Sequence, residues 1–333
     1  MVKHLENFIM QCTGAEKISR SRVIQDLWQG YGKLYRFVLK GGNHTSVIAK
    51  HIQYPEGKSN SRNLSHQRKV RSYQVEIHWY ERWAGRCNSL CRVPDLLGVH
   101  TEGTEIILVL EDLDSCGFSK RHSTANEQIA KLGVRWLANF HAAFMQESPS
   151  GLWETGTYWH LSTRREELNR LNDSELKTAA HKIDQKLHST DFKTIVHGDA
   201  KLENFCFSKN CRSAAAVDFQ YTGGGCGIRD FAYFLDSCFP EETVERIAEP
   251  MLKFYFSELK NALVKYEKTI DTSKLEKQWR ELFPVAWADF YRFLRGWSGG
   301  RWNGGKFTQR LIKEVLEDLG DENDHKIQQK EHV

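Results

Sequence analysis

Apolar positions change their spacing once along this chain. Up to about residue 110 they form short alternating or continuous runs, and from Asn126 they recur every three or four residues. In the first stretch, Trp28 to Phe37 reads as strand, glycine turn, strand. Gly41, Gly42 and Asn43 give a hairpin turn, and Ser46 to Ile52 returns as a strand with Lys50 near its end. Tyr54 to Ser65, with its proline, glycine, serines and asparagines, reads as a loop. Gln67 to Trp83 has helical spacing through Val70, Tyr73, Ile77, Tyr80 and Trp83, until Arg92, Val93 and Pro94 break it. Ile106 to Leu110 is a buried strand. The first 110 or so residues thus predict a mostly antiparallel sheet with one helix.

In the second stretch Ile129, Leu132, Trp136, Leu137, Phe140 and Phe144 form one long apolar face. Glu166 to Leu187 and Glu242 to Tyr266 predict further helices. Short β-like pieces stand between them at Thr194–Val196, Phe205–Phe207 and Ala214–Val217, and Gly320 to Val333 is polar and reads as a frayed tail. The predicted organisation is a β-rich lobe over 1–112, a helical lobe over 113–320 and a flexible tail over 321–333. Glu111 to Asp114 is the hinge between the lobes. No internal repeat interrupts this order.

Composition narrows the class. A chain of 333 residues with 27% charged and 12% aromatic residues and only 6 prolines has material for real cores and is not a low-complexity polymer. Its net charge of +4 is too mild to suggest nucleic acid or an anionic membrane surface as partner. The longest aliphatic run, Ile106 to Leu110, is far short of the ~20 residues that span a bilayer. Met1 to Lys17 lacks the continuous apolar region of a secretory signal. The 8 cysteines, with Cys87/Cys91 and Cys206/Cys211 as close pairs, make no paired CxxC array. They predict reduced, mostly buried thiols and a cytoplasmic location.

The strongest chemical signal is Val196 to Asn204, which contains His197-Gly-Asp199-x-Lys201-x-x-Asn204. It is followed by an apolar strand that ends in Asp218 and Phe219. An aspartate on a tight loop can accept a hydroxyl proton. An asparagine five residues on, and a second aspartate at the end of the adjacent strand, can hold Mg²⁺ from two sides. Phosphoryl transfer needs little more than an aligned nucleophile and cations on the phosphate oxygens. Lys50, in Val47-Ile-Ala-Lys50, stands where a strand lysine reaches phosphates, with Glu76 on the following helix as the matching carboxylate. Gly30-Tyr31-Gly32 is a candidate phosphate-covering turn, or an ordinary hairpin turn.

These motifs resemble the aminoglycoside phosphotransferase/choline kinase group, and most of all its ecdysteroid-kinase-like branch. Leu137 to Ala142, Asp230 to Leu235, Ser72 to Glu76 with Trp79 and Tyr80, Val109 to Leu113 and Asp218-Phe-Gln220 carry the likeness, which spans roughly Trp28 to Trp297. The resemblance implies a two-lobed, protein-kinase-like α+β fold and an ATP- and Mg²⁺-dependent transfer to a hydroxyl of a small molecule. It implies Asp199 as base, Asn204 and Asp218 as metal ligands, and His197 as a brace of the loop. Lys201 contacts the γ-phosphate or is a solvated lysine. The backbone of Glu111, Asp112 and Leu113 supplies the donor and acceptor that adenine needs.

The pattern departs from protein kinases in two places. Gln220 replaces the glycine after Asp218 and Phe219, and Gly223 to Gly227 follows at once, with no Ala-Pro-Glu within the next 40 residues. A long activation segment is therefore not expected, which sets a protein Ser/Thr kinase, or a non-catalytic nucleotide-binding module, behind a small-molecule kinase. Trp153, Trp159, Trp287, Tyr291 and Trp297 are either core or an aromatic wall for the substrate. The i, i+4 pair Trp287 and Tyr291 has the spacing of core packing.

Overall fold

The structure is a computed structural model that describes residues 2–54 and 64–330, with side chains for 3–54 and 64–320. The loop expected over Tyr54–Ser65 lies mostly outside these residues. In chain order the elements are α1 (Val2–Thr13), β1 (Lys17–Asp26), β2 (Gly32–Lys40), β3 (Ser46–Gln53), α2 (Leu64–Arg82), β4 (Leu96–Glu102) and β5 (Glu105–Glu111). Then come α3 (Glu127–Ala143), α4 (Arg165–Arg170), α5 (Ser174–His188), β6 (Thr194–Val196), β7 (Phe205–Phe207), β8 (Ala214–Ala216) and β9 (Gly223–Gly225). The chain closes with α6 (Ile228–Cys238), α7 (Glu241–Lys265), α8 (Thr272–Glu281), α9 (Phe283–Ser298) and α10 (Lys306–Lys330). Among the described residues no helix is long and apolar enough to cross a membrane.

The chain divides into two compact units. The first comprises residues 1–121 and 204–220, the second 122–203 and 221–333. The first unit is built on a five-stranded antiparallel sheet in the order β1-β2-β3-β5-β4. Its period-two alternation is clearest in β3. Val47 and Ala49 face a core formed with Phe37, Leu39, Ile107, Val109 and the α1 residues Leu5 and Ile9. Lys50 and Ile52 alternate with them, and Ile52 packs with Tyr31, Ile106 and the α2 residue Tyr73. Gly41 and Gly42, both at φ +74°, close the β2–β3 hairpin in the left-handed region. The later segment adds the β7–β8 hairpin, through which Cys206 and Ala215 bury Leu113.

Two elements here differ from the sequence expectation. The amino-terminal segment is a helix, because Leu5, Phe8, Ile9 and Cys12 make an i, i+3, i+4, i+7 stripe against the sheet. The strand expected to begin at Trp28 instead runs from Lys17 to Asp26, and Trp28–Gly30 is a single 3-10 turn. That edge strand is exposed along nearly its whole length, so it carries no buried apolar alternation to read.

In the second unit α3 starts at Asn126, whose side chain accepts a hydrogen bond from the Ile129 amide at 2.9 Å. It lies so close to α6 that a Cβ on Gly133 would fall 2.1 Å from the Phe234 ring. The helix expected over Glu166–Leu187 is two helices. Leu171 turns to extended backbone, and Asp173 caps α5 by accepting from the Leu176 amide at 3.0 Å. Arg295 holds the other Asp173 oxygen at 2.6 Å, so the break is locked by a tertiary contact that periodicity does not reveal. The helix α10 runs past Gly320, where the composition predicts a frayed tail, as far as Lys330; residues 331–333 lie outside the described part.

Between β5 and the second unit, Asp112 is 2% exposed and holds Arg36 through Oδ1 at 2.9 Å and Oδ2 at 2.7 Å. Ser46 donates to its Oδ2 at 2.7 Å. Arg36 also holds Asp114 Oδ2 at 2.5 Å, so loss of Asp112 removes part of its partners without stranding the guanidinium. Asp112→Ala should therefore lower the stability of the first unit by about 2 kcal/mol, as expected for lost hydrogen bonds between charged groups. Urea unfolding that matches the unaltered protein would refute this reading of the segment.

Candidate active site

The residues singled out from sequence fall into two groups, one in each unit. In the first unit Lys50, Glu76, Asn204 and Asp218 belong together with the glycine turn and the hinge segment. The second unit carries His197, Asp199 and Lys201.

Lys50 faces α2 because it shares the sheet face of Ile52, and Ile52 packs on Tyr73. Glu76 lies three residues, or nearly one helical turn, beyond Tyr73. Its oxygens accept hydrogen bonds from Lys50 Nζ at 2.9 and 2.7 Å. Lys50 Nζ also lies 3.2 Å from Asp218 Oδ1. The Lys50 and Glu76 side chains are 7% and 3% exposed. Burial alone would lower the Lys50 pKa, but Asp218 and then Glu76 outweigh it and hold the ammonium charged. Burial likewise works against the Asp218 carboxylate, and Lys50, followed by Lys69, overcomes it to bring the pKa down to about 2.

Asp218 follows β8 with φ +71°, a left-handed conformation that aspartate tolerates better than most residues. Among the described residues its Oδ1 takes the contacts to Lys50 and Gln220, while Oδ2 has no hydrogen bond. The side chain is 36% exposed. Asn204 is 7% exposed and precedes β7; its carbonyl accepts from the Val217 amide at 3.0 Å, which fixes it beside the residue before Asp218. An anionic oxygen free of hydrogen bonds and a neighbouring amide make a hard-oxygen donor set, of the kind that suits Mg²⁺ together with phosphate and water.

In the second unit the loop after β6 is held by α6. Asp230, at the start of that helix and fully buried, accepts from the His197 amide at 2.6 Å and the Gly198 amide at 3.0 Å. Its Oδ2 also lies 3.2 Å from His141 Nε2, and His141 Nδ1 bonds the Tyr255 hydroxyl at 2.7 Å. One turn along α6, Tyr233 donates its hydroxyl to Asp199 Oδ1 at 3.3 Å. Near the helix end, Ser237 Oγ accepts from the Leu202 amide at 2.9 Å. Residues 230, 233 and 237 form one helical stripe, so a single rigid element sets both ends of the loop. Gly198 sits at φ +80°, and a Cβ there would fall 2.0 Å from the Tyr221 carbonyl oxygen. His197 is fully buried, and its Nδ1 accepts from the Asp199 amide at 3.2 Å. It thereby braces the backbone of the loop. Lys201 is half-buried, with its amide bonded to the Asp199 carbonyl at 2.9 Å.

The glycine turn has an internal explanation for one of its two glycines. Gly32, at φ +134°, opens β2 where a Cβ would lie 2.0 Å from the His51 carbonyl oxygen. Gly30, at φ +79°, would point a Cβ into open space. The hinge side chains are committed to structure. Glu111 Oε2 accepts from Arg92 and from the Asp95 amide, Asp112 holds Arg36, and Leu113 is 3% exposed.

The aromatic residues divide. Trp159 and Trp287 are core, donating to Asp289 and Thr308, while Trp297 is 57% exposed and stacks on Phe293. A second polar cluster, His160, Asp184 and His188, resembles a metal triad in composition. There Asp184 Oδ1 already faces the buried Arg229 guanidinium at 3.4 Å and His160 at 3.3 Å, so it reads as an ion-pair cluster.

Asp230, Tyr233 and Gln220 were not among the site residues expected from sequence. Asp230 and Tyr233 lie within the Asp230–Leu235 segment already singled out, and their i, i+3 spacing was the available signal. Gln220 was visible as a departure from glycine and as part of the Asp218-Phe-Gln220 motif, neither of which gives its side chain a role.

No curated protein matches the chain. Among solved structures, a choline kinase from Cryptosporidium parvum Iowa II aligns over 99% of this chain and 97% of its own, at TM-score 0.55 and 11% identity. An ethanolamine kinase from Plasmodium vivax aligns over 90% of this chain and 81% of its own, at TM-score 0.46 and 10% identity. An aminoglycoside-3'-phosphotransferase of type VIII covers 84% and 99%, at TM-score 0.45 and 14% identity. The last two are too distant to add to the argument. The protein has a protein-kinase-like α+β fold, shared over nearly its whole length with choline kinase, and its residues 144–268 match the ecdysteroid kinase-like family.

Proposed function

We propose that this protein transfers the γ-phosphate of ATP to a hydroxyl of a small organic molecule, with Mg²⁺ as the metal. The observation that carries the proposal is the buried Lys50 ammonium between Glu76 and Asp218, whose second oxygen is left for a ligand. An apolar pair of similar volume could fill this place between sheet and helix, and a charge pair this deep is expensive unless function requires it.

In this reading Lys50, held charged by its two carboxylates, faces the nucleotide phosphates. Asp218 Oδ2 and Asn204 would hold Mg²⁺, which when bound neutralises charge on the phosphate oxygens. Asp199 orients the acceptor hydroxyl and takes its proton as the acceptor oxygen bonds to phosphorus and the bond from phosphorus to the ADP oxygen breaks. Tyr233 donates to Asp199 Oδ1 and so helps to orient the carboxylate. The hinge backbone of Glu111, Asp112 and Leu113 meets adenine, and Gly30 and Gly32 belong to the turn over the phosphates. Lys201 adds positive charge near the transferred group.

A small acceptor fits the chain better than a protein. Only four residues separate Asp218 from β9, and β9 pairs at once with β6. Gly223 is needed there for packing, since a Cβ would fall 2.3 Å from the Trp153 carbonyl oxygen. No length remains for a peptide platform. None of the eight cysteines is in a disulfide, which fits a reducing cytoplasm.

The test is transfer of label from γ-labelled ATP into a metabolite extract, followed by mass identification of the product. Label on a folded protein instead, or nucleotide binding with no transfer to anything, would overturn the reading in favour of a protein kinase or a non-catalytic module. Asp199→Asn should keep nucleotide binding and lose about 10²–10⁴-fold in turnover. Tyr233→Phe should cost about tenfold in kcat with little change in KM, as expected for loss of one oriented hydrogen bond. Lys50→Met should destabilise the protein by about 3–5 kcal/mol by stranding Glu76. Adding Glu76→Leu should recover part of that loss in equilibrium unfolding, and strictly additive effects would show that the pair is not coupled.

A further inference from the structure

We propose that Gln220 is a positioning residue that ties the metal-binding carboxylate to helix α2, so that Asp218, Lys50 and Glu76 stand assembled before any nucleotide arrives. The inference rests on the reading of Asp218 as a metal ligand, and it concerns what fixes that ligand.

Gln220 is 5% exposed. Its Nε2 donates to Asp218 Oδ1, and its Oε1 accepts from Lys69 Nζ at 2.6 Å and from Ser72 Oγ at 3.2 Å. The orientation of an amide is often ambiguous, but here the partners decide it. A carboxylate can only accept and an ammonium can only donate, so the nitrogen must face Asp218 and the oxygen must face Lys69. The position therefore calls for a side chain with a donor at one corner and an acceptor at the other. Glutamate would set a second negative charge against Asp218, and glycine would leave the bridge out altogether.

The bridge is one of three successive contacts. Asp218 meets Lys50, which Glu76 holds. Phe219 stacks on Trp79 with ring centroids 4.7 Å apart and meets Tyr80 edge-on at 5.8 Å. Gln220 meets Lys69 and Ser72. The α2 partners 69, 72, 76, 79 and 80 follow helical spacing, so one face of the helix takes all three residues. Lys69 is itself steadied over the Tyr73 ring at 4.6 Å. In a chain whose segment after Asp218 is too short to carry a switch, this bridge does the holding.

Two measurements test the proposal. The first is amide hydrogen exchange along α2 in the nucleotide-free protein, comparing the unaltered chain with Gln220→Met, which keeps volume and removes both hydrogen-bonding corners. Exchange over residues 69–80 should rise about tenfold. The second is the Mg²⁺ concentration at half-maximal binding of a non-hydrolysable ATP analogue, which should rise several-fold. Should Gln220→Met fail to fold, Lys69→Met, at a half-buried site, removes one of the two Oε1 donors and should produce the same two changes at smaller size. The two variants combined should be less than additive. Unchanged exchange and unchanged Mg²⁺ dependence in Gln220→Met, or in Lys69→Met if only that variant folds, would overturn the proposal. If the unaltered protein binds no nucleotide while exchange still rises in the variant, the tether stands and the functional reading of Asp218 fails.

Discussion

One buried ammonium organises the first unit. Lys50 projects from the middle of an interior strand, where burial penalises its charge by several kcal/mol unless carboxylates answer it. Two do so, from parts of the chain far apart in sequence. Glu76 comes from α2 and Asp218 from the segment that returns after the second unit has begun. The sheet fixes the lysine, the helix fixes one answering charge and the β7–β8 hairpin fixes the other. Two carboxylates against one lysine leave the cluster short of positive charge. Lys69 makes up part of that deficit, and it is among the groups that hold Asp218 ionised.

The second unit solves a different problem. For the proposed transfer Asp199 must be placed accurately on a loop, and loops do not place side chains well by themselves. The solution is to make the loop a substituent of a helix. Asp230, Tyr233 and Ser237 project from one face of α6 and hold the backbone at residues 197, 198 and 202 and the side chain of Asp199. Buried amides satisfied by a buried carboxylate are stiff as well as stable, since each lost bond would leave an orphaned group. Gly198 lets the backbone pass within contact distance of the Tyr221 carbonyl oxygen, and no other residue fits.

What was legible in the sequence depended on whether the cause was local. Spacing within one segment locates Asp199, Asn204 and Asp218. The strand motif marks Lys50, and the following helix offers Glu76 as its partner with Glu81 also within reach; only the packing of α2 on the sheet decides for Glu76. The strands β6, β7 and β8 stand where short apolar runs put them. Illegible were features whose cause lies elsewhere in the chain. The edge strand β1 has no buried alternation. The break before α5 is locked by Arg295. Gln220 shows its purpose only once Lys69 and Ser72 have been brought to it, about 150 residues away in sequence. Trp159 and Trp287 look the same in sequence as Trp297, and only packing tells core from surface.

The return of residues 204–220 to the first unit has a consequence for how the chain acquires its structure during synthesis. When the ribosome has made the first 121 residues, every residue of the sheet and α2 has been supplied, but Leu113 lacks its cover of Cys206 and Ala215, and Lys50 lacks one of its two counter-charges. The amino-terminal piece is therefore an unfinished body that must wait for nearly a hundred further residues before it can close. A gene fragment cut at the apparent boundary would not encode a self-sufficient module. In evolution, this chain could not exchange its amino-terminal part as a simple cassette; a recombination that respected the folded unit would have to move two separate stretches of gene at once.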